Sequence, residues 1–210
     1  MKGLLFITHR SERFGYLQSA EIALAGGCRQ IQFRMKDALS SDEFESTARE
    51  VKKLCDDYGA DLYINDRVEV CARIGAKGVH LGKLDMQPSE ARAILGSGFV
   101  IGGTANTFDD IRRLYNDGVD YIGLGPFRFT NTKQNLSPIL GSDGYSRIIG
   151  LCREHQIDIP LIAIGGITSD EVASIMRLGV SGVAMSSSIL NSVNPKEEVR
   201  KIIKIICNEE

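Results

Sequence analysis

The stretch Tyr121-Ile-Gly-Leu-Gly-Pro-Phe-Arg-Phe-Thr-Asn-Thr-Lys133 joins a short apolar run to a polar loop through a Gly-Pro pair. Apolar runs of this length, bounded by glycine and proline, are typical of buried β-strands. The loop that follows carries two hydroxyl groups and one ammonium group, which suit the binding of phosphate oxygens. These groups belong to Thr130, Thr132 and Lys133. In isolation the same residues are equally typical of an ordinary surface loop.

The rest of the chain repeats this unit, because short apolar strands alternate with longer amphipathic stretches from end to end. Strands separated by helices favour parallel pairing through helical crossovers. Eight such units predict a single (β/α)8 TIM barrel of the α/β class, formed by residues 1–210 as one domain. The predicted strands are Gly3–Thr8, Gln30–Arg34, Asp61–Ile64, Gly78–Leu81, Val100–Gly102, Tyr121–Gly125, Leu161–Ile164 and Gly182–Met185. The predicted helices are Leu17–Ala25, Ser41–Tyr58, Val68–Ile74, Pro88–Leu95, Phe108–Asp117, Tyr145–His155, Asp170–Leu178 and Pro195–Cys207.

The turns between these elements favour a barrel over an open sheet. An open doubly wound sheet with a nucleotide site would carry a glycine signature after its first strand, whereas this chain has Thr8-His9-Arg10-Ser11.

Glycine directly follows several of the helical patterns, and this position predicts a helix end. These glycines are Gly59, Gly75, Gly118 and Gly179.

The composition indicates a globular protein of the cytoplasm. With 43% hydrophobic residues the chain can bury a substantial core, and its formal net charge of −2 argues against nucleic-acid or polybasic membrane binding. Five cysteines without CxxC spacing indicate reduced thiols and argue against a disulfide framework or a zinc site. No apolar run approaches the length of a membrane span, and the N-terminus is too soon polar for a signal peptide. Assembly into a homo-oligomer is left open.

In a (β/α)8 barrel the carboxyl ends of the strands share one rim, where the chemistry normally lies. At the end of the second predicted strand and just beyond it, Gln32, Arg34 and Lys36 alternate with other residues, so they share one face. Charged groups that face a barrel axis cost desolvation free energy unless they hold a ligand or an ion. The rim therefore predicts a binding site. His80, also at a strand end, is as compatible with a hydrogen-bonded core histidine as with a substrate contact.

Two acidic residues at neighbouring strand ends, Asp66 and Asp85, predict a Mg2+ site. Mg2+ takes few carboxylates and completes its shell with phosphate oxygens and water. The alternative is that one or both carboxylates form ion pairs with Arg67, Lys83 or Arg34.

Two further groups of residues predict anion binding. Gly165-Gly166 and Ser186–Ser188 lie where many barrels hold a phosphate on backbone N–H groups. Their alternatives are a tight turn and simple helix capping. Arg34, Lys36 and Lys133 form a second, cationic group. Two anion sites and one divalent metal predict a diphosphate-bearing substrate that faces a monophosphate-bearing one.

Six motifs run in order along essentially the whole chain. They are Gln32-Phe-Arg-Met-Lys36, Ile64-Asn-Asp-Arg67, Gly78-Val-His-Leu-Gly82 with Asp85, Gly123-Leu-Gly-Pro126 with Thr130-Asn-Thr-Lys133, Ile164-Gly-Gly-Ile167, and Gly182-Val-Ala-Met-Ser-Ser187. Each motif is weak alone. Together, with matching spacing, they resemble the thiamine phosphate synthase family.

The resemblance implies a Mg2+-dependent transferase of thiamine biosynthesis, with small phosphorylated molecules as its partners. It would join 4-amino-2-methyl-5-hydroxymethylpyrimidine diphosphate to a thiazole phosphate and release pyrophosphate. The implied ligands of the pyrimidine diphosphate are Gln32, Arg34, Lys36, Asn65, Thr104 and Lys133, and those of Mg2+ are Asp66 and Asp85. The implied ligands of the thiazole phosphate are Thr130, Thr132, Gly166, Ser186 and Ser187. Catalytic roles would fall to the cations that neutralise the departing pyrophosphate, namely Arg34, Lys36 and Lys133.

The chain departs from the family pattern at Met35, where an acid is usual, at Thr104, where serine is usual, and at Asn106, where histidine is common. Thiazole tautomerases on the same barrel tend to lack the metal aspartates and to rely on a histidine in the fifth strand rim. They are the first alternative. A barrel that only binds thiazole or thiamine phosphate is the second, against which Asp66 and Asp85 argue because a binder has little use for metal carboxylates.

Overall fold

The computed structural model describes residues 1–129 and 138–209, in which strands and helices alternate. The strands are β1 Gly3–Ile7, β2 Gln30–Phe33, β3 Asp61–Asn65, β4 Gly78–Leu81, β5 Val100–Ala105, β6 Tyr121–Leu124, β7 Leu161–Ile164 and β8 Gly182–Met185. The helices are α1 Tyr16–Ala25, α2 Ser41–Asp57, α3 Val68–Ile74, α4 Pro88–Leu95, α5 Phe108–Asn116, α6 Gly141–Glu154, α7 Val172–Met176, α8 Ser187–Leu190 and α9 Pro195–Glu209. A 3-10 turn, Ser169–Glu171, precedes α7.

In the described part of the chain, β1 to β8 form a closed parallel barrel in sequence order. The barrel closes where β8 pairs with β1, with Gly3 opposite Gly182 and Phe6 opposite Met185. The predicted α/β TIM barrel is therefore confirmed. That residues 1–210 form a single domain stays a prediction. None of the described helices combines the length and the apolar character that a membrane span requires.

Helix boundaries follow local sequence signals. The Ser40 side chain accepts a hydrogen bond from the backbone N–H of Glu43 at 3.1 Å and so caps α2. Helix α3 ends at Gly75, whose φ of 63° is left-handed. The other glycines predicted to end helices also have positive φ, and they are Gly59, Gly118 and Gly179.

Several elements differ from their predicted bounds, and two of these differences affect the carboxyl ends of the strands. Strand β5 continues through Gly102 and Gly103 to Ala105, because its pairing with β4 and β6 outweighs the poor strand propensity of glycine. Thr104 is therefore a residue of strand β5, and its hydroxyl contacts His80 of β4. Helix α8 was not predicted, since four residues are too few to show a helical period in the sequence.

The barrel interior holds its own apolar cluster, apart from the larger one between strands and helices. This inner cluster includes Leu5, Tyr63, Tyr121 and Ile162. Tyr121 is completely buried, and its ring fits because residue 102 is a glycine. A Cβ at Gly102 would lie only 2.1 Å from the Cζ atom of Tyr121. The packed interior separates an upper mouth, at the carboxyl ends of the strands, from a lower mouth at their amino ends.

Candidate active site

Strand β2 and the turn after it bring three polar side chains to the upper mouth, and their exposure to solvent increases along the chain. Gln32 is buried in the barrel, Arg34 is half-buried, and the Lys36 side chain is 53% exposed. The hydroxyl of Thr8, just beyond β1, accepts a hydrogen bond from the backbone N–H of Arg34 at 2.9 Å and anchors the turn. Burial lowers the pKa of the Arg34 guanidinium, while the nearby Asp66 raises it. A partly desolvated cation of this kind gains strongly from a bound anion.

Asp66 and Asp85 come from neighbouring strand ends and lie close enough for each to shift the pKa of the other. Asp66 follows β3 with a φ of 78°, a left-handed conformation that is uncommon outside glycine and that clusters at functional sites. The Asp85 carboxylate accepts a hydrogen bond from the backbone N–H of Gly82 at 2.6 Å. Burial, together with the hydrogen bond to Asp66, raises the pKa of Asp85. Two carboxylates this close repel each other when both are ionised, so the pair favours a proton or a cation beside it.

Lys36 is the cation that contacts this pair. Its Nζ atom lies 3.1 Å from Oδ2 of Asp66. Burial works to raise the pKa of Asp66, but the hydrogen bond to Asp85 and the ion pair with Lys36 bring it below the usual value. The Asp66 side chain is one-third exposed, so water screens this attraction.

Among the described residues, Asp66 forms its ion pair with Lys36, and two of the cations predicted as alternative partners contact other groups. Lys83 Nζ lies 2.6 Å from a carboxylate oxygen of Asp110, at the start of α5. The guanidinium of Arg67 lies over the ring of Phe44, 4.1 Å from its centroid. Lys83 and Arg67 are therefore engaged in holding the surrounding loops.

The two aspartates fit a magnesium ion by their chemistry. Asp66 and Asp85 offer carboxylate oxygens from adjacent strand ends, and hard cations prefer such ligands. Within residues 1–129 and 138–209, no group of three or more histidine, cysteine, aspartate or glutamate side chains is placed to hold a metal. A metal here would need further ligands from water or from a substrate phosphate, which is how Mg2+ is usually held.

The turn after β7 lies against the loop after β6. Gly165 and Gly166 have φ values of 100° and 69°. The backbone N–H of Arg128 donates to the Gly165 carbonyl at 2.9 Å. A Cβ at Gly166 would lie 2.5 Å from the carbonyl oxygen of Phe129, so a side chain at this position would push the two loops apart.

The serines after β8 begin the short helix α8. The Ser186 hydroxyl donates to the carbonyl of Ile7 at 2.7 Å and ties β8 to β1 at the upper mouth. Among the described residues, the Ser186 side chain accepts no capping hydrogen bond from α8, which weighs against the simple capping alternative. Ser187 is the first residue of α8, where backbone N–H groups have no acceptor within the helix.

Three predicted site residues, Thr130, Thr132 and Lys133, lie outside the described residues. The chain on either side of them is held by Asn106, which is 5% exposed. Its amide nitrogen donates to the carbonyls of Gly125 and Pro138, both at 2.9 Å. In addition, the Leu140 N–H donates to the Pro126 carbonyl at 2.9 Å.

The remaining predicted residues line the barrel wall at the upper mouth. Asn65 ends β3 and Thr104 lies in β5, and both are half-buried. His80 is buried and hydrogen-bonded to Thr104, as its core alternative predicts, and its contact with substrate stays a prediction. The sequence patterns assign no role to Tyr121, which begins β6 and whose side chain lies inside the barrel.

Comparisons with known proteins agree with this geometry. Residues 4–189 match the family model described as thiamine monophosphate synthase. The chain is 52% identical over 202 residues to thiamine-phosphate synthase of Phocaeicola vulgatus, covering 96% of this chain and 97% of the relative. It is 49% identical over 205 residues to thiamine-phosphate synthase of Bacteroides fragilis, covering 98% and 100%. Its fold is similar to a solved thiamine phosphate pyrophosphorylase from Pyrococcus furiosus, with a TM-score of 0.86, 28% identity, and coverage of 99% and 96%.

Proposed function

The chain belongs to the thiamine monophosphate synthase family, and from this premise we propose that it is a thiamine-phosphate synthase, a transferase. It joins 4-amino-2-methyl-5-hydroxymethylpyrimidine diphosphate to thiazole phosphate and releases pyrophosphate. Its partners are these small phosphorylated substrates. The observation that carries the proposal is the pair of neighbouring carboxylates Asp66 and Asp85 at the upper mouth, with Lys36 in contact with Asp66.

The reaction breaks a carbon–oxygen bond to diphosphate, so negative charge grows on the leaving group. Arg34 and Lys36 supply positive charge on one side of the mouth, and Lys133 is proposed for the same role. Asp66 and Asp85 would hold the proposed Mg2+ ion, which would supply further positive charge to neutralise the diphosphate. Because the aminopyrimidine can stabilise a cationic methylene group, the protein needs to provide position and charge but no nucleophile.

The two substrates are proposed to occupy adjacent parts of the mouth. Gln32, Asn65 and Thr104 line the barrel wall and would hold the pyrimidine diphosphate. The opposite part of the rim would hold the thiazole phosphate. It is formed by Gly166, Ser186 and Ser187, with Thr130 and Thr132 proposed alongside.

The tautomerase alternative lacks its base. Where such an enzyme uses a histidine, this chain has Asn106, whose amide nitrogen donates to the carbonyls of Gly125 and Pro138. An amide cannot take up a proton near neutral pH. The aspartate pair also argues against a barrel that only binds. Cytoplasmic location and the oligomeric state stay predictions.

The test is to incubate the chain with both substrates and Mg2+ and to measure thiamine phosphate and pyrophosphate. We expect both products in equal amounts, and we expect a chelator to abolish them. A parallel reaction with thiazole phosphate alone in deuterated water should show no proton exchange. Exchange without thiamine phosphate formation would overturn the proposal in favour of a tautomerase.

A further inference from the structure

Beneath the upper mouth, a hydrogen-bonded chain of side chains crosses the barrel interior. The ring of His80 on β4 lies between two hydroxyl groups. Its Nδ1 atom is 3.0 Å from the Tyr121 hydroxyl on β6, and its Nε2 atom is 3.0 Å from the Thr104 hydroxyl on β5. Each ring nitrogen can donate or accept a hydrogen bond. The nitrogen that carries the ring proton donates to its hydroxyl partner, and the other nitrogen accepts from its own partner.

Burial raises the pKa of Tyr121, and the side chain of Gln32 on β2 acts to lower it, which places Gln32 next to Tyr121 as the further member of this series of side chains. Tyr121 is fully buried and Gln32 is 2% exposed. Gln32 and Thr104, the two ends of this series of side chains, are both proposed to bind the pyrimidine diphosphate. The two middle members, Tyr121 and His80, therefore connect two substrate-binding groups on different strands.

Two glycines leave the room that this arrangement needs. A Cβ at Gly102 would lie 2.1 Å from Cζ of Tyr121, and a Cβ at Gly123 would lie 3.1 Å from Cε1 of His80. The rings of His80 and Tyr121 also pack together, with centroids 5.5 Å apart. The hydrogen-bonded chain is therefore a packed part of the interior.

We infer that His80 and Tyr121 are positioning residues that fix one direction of hydrogen-bond donation through this chain, an inference that rests on the proposed function. The Gln32 amide donates to the Tyr121 oxygen, and the Tyr121 hydroxyl donates to Nδ1 of His80. The Nε2–H group of His80 then donates to the Thr104 oxygen. This order leaves the Thr104 hydroxyl proton for the substrate and turns the Gln32 carbonyl oxygen toward it.

The substrate decides between this direction and its reverse. Diphosphate oxygens only accept hydrogen bonds, whereas the amino group of the pyrimidine donates them. The inferred direction offers a donor at Thr104 and an acceptor at Gln32, which match these two groups. The reverse direction would commit the Thr104 proton to His80, so that an oxygen lone pair would face the diphosphate anion and repel it.

The first measurement is the protonation of the His80 ring by 15N NMR of the imidazole groups in the intact protein. With three histidines in the chain, the His80 signals can be assigned by comparison with His80→Gln. We expect a protonated Nε2 and an unprotonated Nδ1. In Tyr121→Phe the donor to Nδ1 is lost, and we expect the Nε2–H form to be replaced by a mixture of tautomers. A wild-type ring protonated at Nδ1, alone or with Nε2, would overturn the inference.

The second measurement is the kinetics of matched variants. We expect Tyr121→Phe to lower kcat/KM for the pyrimidine diphosphate about tenfold, with KM for thiazole phosphate unchanged. Tyr63→Phe, a buried tyrosine of the same inner cluster, should change both by less than about twofold. Thr104→Ser should keep most activity, whereas Thr104→Val should lose it. Equal effects of Tyr121→Phe and Tyr63→Phe would overturn the inference. The expected NMR result without any thiamine phosphate from the wild type would overturn the proposed function and leave the hydrogen-bond direction standing.

Discussion

The two mouths of the barrel both carry charged side chains, but they use them differently. The lower mouth contains a cavity of about 440 Å3, lined among others by Lys2, Arg29, Lys77 and Asp120. Asp120 accepts hydrogen bonds there from the Arg92 guanidinium at 2.6 Å and from the Ile101 N–H at 2.7 Å. The positive charge of Arg92 therefore balances the negative charge of Asp120. At the upper mouth, by contrast, two carboxylates face each other.

The backbone shows the same contrast. Asp66 at the upper mouth has a φ of 78°, whereas the left-handed turn that lines the lower cavity is made by Gly59, with a φ of 61°. A glycine adopts this conformation without steric cost, but an aspartate does so only when the surrounding structure holds it. Cavity size therefore does not identify the site in this molecule. The proposed site is distinguished by two neighbouring carboxylates, one of them on a left-handed backbone.

The largest expected effect tests the carboxylates of the two mouths. We expect Asp66→Asn to lower kcat/KM by roughly 100- to 1,000-fold, because charge stabilisation at the departing diphosphate is lost. Asp120→Asn should change kcat/KM less than about twofold and lower the free energy of unfolding by about 1 kcal/mol. Steady-state kinetics at fixed Mg2+ and urea unfolding measure the two quantities. Equal kinetic losses in both variants would erase the distinction between the mouths.

A second, smaller effect compares two left-handed glycines. Gly59→Ala at the lower mouth meets no atom within 4 Å and should cost only backbone strain, about 1 kcal/mol of unfolding free energy. Gly166→Ala carries the same strain and also brings Cβ to 2.5 Å from the Phe129 carbonyl oxygen. We expect it to raise KM for thiazole phosphate at least about tenfold, because the phosphate turn shifts. A normal KM in Gly166→Ala would remove this turn from the thiazole site.

The smallest effect separates a structural carboxylate of the upper mouth from those of the site. Although burial acts to raise it, the pKa of Asp110 is lowered by Lys83 and by hydrogen bonds from Asn106 and Thr107. At pH 7 we expect Asp110→Asn to lower the free energy of unfolding by about 1 kcal/mol, and the exposed control Asp109→Asn by less than about 0.5 kcal/mol.

The pH dependence of this difference follows from the sign of the shift. A carboxylate whose pKa is lower in the folded state stabilises the fold above its unfolded pKa, near 3.8 for Asp110. This stabilisation is lost as the pH falls through the folded value. Urea unfolding of both variants between pH 7 and 3 measures it. A difference between the variants that does not shrink in acid would contradict the assignment.

Much of the architecture was predictable because it depends on local signals. The strand Gly78–Leu81 and the helix Val68–Ile74 have the bounds that the sequence predicts, since apolar period, glycine and proline act over a few residues. The order of polar residues at the strand ends was predictable as well, because a parallel barrel brings all carboxyl ends to one mouth.

Contacts between distant strands were not predictable. That Lys83 pairs with Asp110, that Asp66 pairs with Lys36, and that Ser186 bonds to Ile7 depends on side-chain directions in a closed sheet. The extension of β5 past Gly102 has the same origin, since its neighbours hold it in the ladder.

The sequence by itself determined which chemical groups reach the upper mouth and in what order around it. The tertiary structure alone decided which of these groups come into contact. It brings Asp66 and Asp85 together, and it places the ring of His80 between the hydroxyl groups of Tyr121 and Thr104. The physical reason is range. Strand and helix preferences arise between neighbours in the chain, whereas these hydrogen bonds and charge pairs form only once strands distant in sequence have paired.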